Sequence, residues 1–171
     1  MWSINLQDYR GIAISIILKL LDDEQFKNRN KDGAKGFTRN RKLTFKLLVI
    51  LISHGMVRSL QRELNSFFKA LKGSSYDIQE VTKGALTQSR AKLKPESFIE
   101  LNAAVLPDFY KEAPYYVWKT HRLLAVDGST LNLPDHPTVE KDFGVHYVGC
   151  NADVKRSMAR ISMFYDVLNL L

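Results

Sequence analysis

Arg122-Leu-Leu-Ala-Val-Asp127-Gly-Ser-Thr-Leu-Asn-Leu133 decides how this chain reads. Apolar and β-branched residues lead into a lone carboxylate, and a glycine and two hydroxyls follow it directly. The run suits a strand that carries one acidic ligand to a metal site. On the residues alone, the commoner explanation of Asp127 is a strand-end aspartate opening an Asp-Gly turn. Beyond it, residues 156–170 are again strand-like, and the 134–155 connection holds Pro134, Pro137, Gly144 and Gly149. Residues 138–143 suit one short helical turn in that connection. Two antiparallel strands without a third are marginal in water, so the expectation is a truncated sheet.

Upstream of Tyr115-Tyr-Val-Trp118 the apolar period is helical. Leu6, Tyr9, Ala13, Ile16, Ile17, Leu20 and Leu21 outline a first helix over 5–22. Thr44 is a good N-cap for a second, nearly all-apolar helix ending near Gly55. Ser59 and Gly73 bracket a third, with a stripe of Leu60, Leu64, Phe67, Phe68 and Leu71. A fourth spans 82–93. A fifth opens at Pro95 and faces inward with Phe98, Leu101, Val105 and Phe109. The short turn between the last two resembles a helix-turn-helix connection. Residues 26–42, rich in Asn, Gly and basic groups, read as a loop or basic arm. The organisation expected is α+β: a basic helical region over 1–115, then the first two strands of a core over 116–171.

Charge is distributed unevenly. Residues 1–121 hold 20 Lys and Arg against 12 Asp and Glu, whereas residues 122–171 hold 5 against 6. A basic front half points to a polyanion partner. The arm concentrates Lys27, Arg29, Lys31, Lys35, Arg39, Arg41, Lys42 and Lys46 against Asp32 alone; a solvated basic loop is the plain alternative. Phe37 within it either stacks on a base or anchors the arm. Gln88, Arg90 and Lys92 stand late in the fourth helix, where Gln and Arg can read base edges and Lys can hold phosphate. An exposed polar helix face explains them equally well. Arg156 and Arg160 flank the second strand and are candidates for phosphate contact near Asp127. Asp166 is a weak candidate second acid. The four histidines are scattered, and a single cysteine, Cys150, excludes an internal disulfide. No apolar run approaches the roughly 20 residues of a membrane helix, and no signal-peptide pattern is present, so a cytoplasmic, nucleoid-associated location is expected.

Several segments together resemble insertion-sequence DDE transposases of the insertion-sequence-four class. They are Leu123-Leu-Ala-Val-Asp127-Gly-Ser-Thr130, Leu133-Pro-Asp-His-Pro137, Asp142-Phe-Gly144 and Arg156-Ser-Met-Ala-Arg160-Ile-Ser-Met-Phe-Tyr-Asp-Val167. Phe37-Thr-Arg-Asn-Arg-Lys-Leu43, Ser59-Leu-Gln-Arg-Glu-Leu64 and Gln88-Ser-Arg-Ala-Lys-Leu93 resemble the helical amino-terminal region of that class. The resemblance implies an RNase H-like mixed sheet and three carboxylates holding two Mg²⁺ or Mn²⁺ ions, with Asp127 the first of the three. It also implies double-stranded transposon ends as partner, and homo-oligomers or association with an intact transposase. The second Asp and the Glu of the class have no counterpart here. The expectation is therefore a fragment that binds DNA and is inactive alone. The alternative is a non-catalytic DNA-binding regulator or competitor of an intact transposase.

Overall fold

The computed structural model describes residues 6–39, 41–55, 59–76, 79–150 and 153–169. The chain divides into two compact units, Met1–Pro114 and Tyr115–Leu171. Among the described residues there are seven helices and a three-stranded antiparallel sheet, an α+β fold.

The first unit is helical. Helix α1 spans Leu6–Asp22; the side chains of Leu6 and Tyr9 lie outside the described residues. Helix α2, Glu24–Asn30, occupies the front of the segment expected to be an irregular arm. The Asp23 carboxylate accepts from the backbone N–H groups of Gln25 and Phe26, and Phe26 is fully buried. Only one apolar residue marks this helix, so periodicity did not reveal it; a cap and one buried ring are enough in context.

Helix α3, Phe45–Ser53, starts where Thr44 caps it by accepting from Leu47 N–H. It is apolar on nearly every side because it divides two cores. Leu48 and Leu51 pack with Leu43, Leu64, Phe68, Val81 and Leu86. Phe45 and Val49 pack with Leu21, Phe26 and Leu101. A Leu48→Ala change would leave a cavity costing about 2–5 kcal/mol. Helix α4, Leu60–Lys72, buries Leu64 and Phe68 but leaves Leu71 about half exposed, so the inward stripe stops one turn early. Gly73 ends it in the left-handed conformation (φ 59°), which glycine adopts without steric cost. Helix α5, Lys83–Arg90, is capped by Thr82, and α6, Glu96–Glu112, follows directly after Pro95.

The second unit carries β1 (Leu124–Leu133), α7 (Pro137–Phe143), β2 (His146–Val148) and β3 (Val154–Asp166). The order is β1-β3-β2 and both pairings are antiparallel. The expected mixed sheet would need a parallel neighbour, and none occurs among the described strands. Strand β2 was not expected: three residues are too few to show alternation. The β2–β3 turn uses Gly149 at φ 108°, where a Cβ would meet the Asp153 carboxylate at 2.7 Å. After Asp166 the chain turns through residues 167–169 instead of continuing as strand. Leu170 and Leu171, at the end of the expected strand-like run, lie outside the described residues. Both faces of the sheet carry exposed apolar groups, Val126 and Phe164 on one and Ile161 and Met163 on the other.

Candidate nucleic-acid interface

A cleft of about 660 Å³ opens in the helical unit, and cations from four separate parts of the fold line it. Lys27 comes from α2; Lys35, Arg39 and Arg41 come from the arm; Lys46 comes from α3; Lys92 comes from the turn after α5. Backbone pairing fixes this convergence. Asp32 N–H donates to Lys92 C=O at 2.8 Å, and Lys94 N–H donates to Asn30 C=O at 3.0 Å, so the arm begins as a short ladder against the α5–α6 turn. Phe37 then ties the arm down. Its ring packs edge-on against Phe45 at 5.4 Å between centroids and touches both core clusters. Of the two roles open to Phe37, the structure shows the anchor. The arm is a shaped wall of the cleft.

Acidic groups temper only part of this charge. Lys27 pairs with Glu24, and Lys46 pairs with Asp22 at 2.7 Å. Lys35, Arg39, Arg41 and Lys92 have no ion-pair partner among the described residues. Four uncompensated cations around one concavity attract a polyanion, whereas exposed pairs such as Lys27–Glu24 hold little energy and can be exchanged for phosphate.

Not every basic residue singled out in the sequence reaches this cleft. Arg29 turns to Glu100, which also accepts from Asn30 Nδ2 at 2.7 Å, and this joins α2 to α6. These hydrogen bonds, Arg29's foremost, hold the Glu100 carboxyl below its ordinary range. Lys42 and Lys72 both donate to Glu80, whose pKa falls to about 2, chiefly through the Lys42 bond. Gln88 and Arg90 are exposed on α5 outside the cleft, and Lys31 sits beside it in the bridge to Leu93. The Glu24–Lys27 pair is visible as i, i+3 spacing. Glu80 and Glu100 act from 38 and 71 residues away, and no local signal marks them as partners.

In the sheet unit, Asp127 lies near the middle of β1, exposed, accepting a hydrogen bond from Ser129 Oγ at 3.3 Å. It is a mid-strand residue, so the Asp-Gly turn reading does not hold. Directly opposed residues of an antiparallel pair share a face, and Asp127 opposes Met163. Its face therefore holds Ala125, Ser129, Ile161 and Tyr165. Asp166 opposes Leu124 and Arg160 opposes Thr130, so both belong to the other face, as does Arg156 opposite His146. This register sets Asp166, a weak candidate second acid, and the two arginines offered for phosphate contact near Asp127 on the face away from it. Asp166 is instead buried, accepting from both the backbone N–H and the side-chain amide of Asn169.

Among the described residues, no three His, Cys, Asp or Glu side chains converge. Asp127 and the Ser129 hydroxyl supply one hard oxygen ligand and a neighbour, fewer than a two-ion site requires. Cys150 is exposed and free. No described helix is long and apolar enough to cross a membrane. Comparison with family models, curated proteins and solved structures finds no match to the chain.

Proposed function

We propose that the chain is the DNA-binding amino-terminal region and first core strands of a DDE transposase of the insertion-sequence-four class. The observation that carries this reading is the convergence of Lys35, Arg39, Arg41 and Lys92, without acidic partners, on one cleft of the helical unit. Phosphate contact there would position double-stranded DNA and supply the salt-sensitive share of affinity. Asp127 adds support: it is an exposed carboxylate held on a strand, as the first ligand of an RNase H-like site would be. On this reading the chain contributes Asp127 to a site whose other carboxylates come from elsewhere. When bound, Mg²⁺ or Mn²⁺ would supply activation of the attacking oxygen and stabilisation of the leaving one. What these residues do themselves is bind and orient DNA.

A second reading is a DNA-binding regulator of an intact transposase that makes no use of Asp127. The absence of a second acid from the Asp127 face of the described strands favours it. The two separate in one experiment: binding to linear duplex DNA measured in Mg²⁺ and in EDTA, with wild type and Asp127→Ala. A Mg²⁺-dependent gain that the substitution abolishes supports the transposase reading. Equal affinities in all four conditions support the regulator.

A further inference from the structure

Just before β1, residues 116–121 form a tight hairpin with no role in either site described above. Trp118 N–H donates to His121 C=O at 2.8 Å, and His121 N–H donates back at 2.9 Å. Lys119 and Thr120 make the two-residue loop with φ of 47° and 70°. Loops of this hand ordinarily use Asn-Gly, because L side chains, and β-branched threonine most of all, rarely take positive φ. Backbone held in such a region costs free energy and persists only where the surrounding structure enforces it. The side chains displayed are aromatic and apolar. Tyr116 is 60% exposed, Val117 47% and Trp118 57%, and Lys119 Nζ sits 4.7 Å from the Trp118 ring centroid. From 113 to 126 the chain carries Lys119 and Arg122 and no acid.

The hairpin is also firmly mounted. Asn169 Oδ1 accepts from Tyr116 N–H at 2.7 Å, and Asn169 Nδ2 donates to Tyr116 C=O at 3.1 Å. Asn169 is itself buried and held by Asp166. An exposed aromatic on a rigid mount, beside a cation, is suited to a base with its phosphate. Asp127 lies six positions after His121, a span of at most roughly 20 Å of extended chain.

We propose that the 116–121 hairpin is a base-stacking contact for an unpaired nucleotide at a DNA end, with the Trp118 indole carrying the base and Lys119 the adjoining phosphate. It rests on the DNA-binding reading of the chain. Stacking on one aromatic side chain tolerates any base, and its loss costs about tenfold or more in affinity.

The test uses the full chain and two probes of equal length, a blunt duplex and a forked duplex with 2-aminopurine as its first unpaired base. Wild type is expected to bind the fork about tenfold more tightly and to quench the 2-aminopurine. Trp118→Ala should equalise the two affinities and abolish quenching, whereas Trp118→Phe should retain most of both. Arg39→Ala with Arg41→Ala should weaken both probes alike. Equal wild-type affinity for the two probes, or quenching that survives Trp118→Ala, overturns the hairpin proposal and leaves duplex binding standing. Failure of wild type to bind either probe overturns the DNA-binding reading, and this proposal with it. Trp118→Phe keeps the test decisive if the alanine variant misfolds.

Discussion

Asp127 and Asp166 stand on opposite faces of one antiparallel strand pair, three residue positions apart in register. The exposed carboxylate is available to ligands, and the buried one builds the end of the sheet. This difference separates a candidate metal ligand from a structural acid more firmly than residue type could.

Asp127→Ala should change unfolding stability by no more than about 0.5 kcal/mol, because the carboxylate is exposed and its hydrogen bond comes from Ser129 on the same strand. In EDTA, duplex affinity should be unchanged or slightly improved by the loss of a negative charge. In Mg²⁺, wild type should gain affinity and the variant should not. Titrations by fluorescence anisotropy check all three statements. A Mg²⁺ gain of equal size in both proteins would detach Asp127 from the metal.

Asp166→Ala should be costly. The substitution removes the acceptor of the buried Asn169 backbone N–H and of one of its two side-chain amide hydrogens, a loss of about 1–3 kcal/mol. Asn169 then no longer holds Tyr116 firmly, so amide hydrogen exchange should quicken at Tyr116 while α3 and α4 keep their protection. Unaltered exchange at Tyr116 would remove Asp166 from that chain of contacts.

Much of the helical unit is legible in the sequence because its signals are local. Thr44 as a cap, Gly73 as a stop and the Leu64–Phe68 stripe each need only one turn of context. Register is different. Arg156, Arg160 and Asp166 share a parity along β3, but which face they take relative to Asp127 depends on pairing with β1, and a slip of one residue reverses it. The arm is likewise half legible. Its charge is plain, whereas the Phe37 anchor and the capture of Arg29 and Lys42 by Glu100 and Glu80 depend on contacts across long stretches of chain.

Glu80 makes the helical unit sensitive to acid. Its carboxyl, 9% exposed, is drawn down from the usual 4.5 to about 2 by Lys42 and Lys72. A lowered carboxyl contributes stability in full above its unfolded value near 4.5, and that contribution disappears as pH falls through about 2. Urea midpoints should therefore be higher for wild type than for Glu80→Gln at pH 7, with the gap closing between 4.5 and 2. A gap that persists at pH 2 would mean that the substitution acts through packing.

The proposed DNA contact belongs to the cleft and not to basic charge in general. The most direct measurement is the salt dependence of duplex binding by the full chain, compared between wild type, Lys35→Ala/Arg39→Ala/Arg41→Ala/Lys92→Ala, and Lys42→Ala. Each lost phosphate contact flattens the log–log slope by about 0.9. The quadruple variant should thus lose roughly 3 to 4 units of slope, while Lys42→Ala, outside the cleft and committed to Glu80, should lose less than one. Equal slopes for wild type and the quadruple variant, or a larger loss from Lys42→Ala, would contradict it.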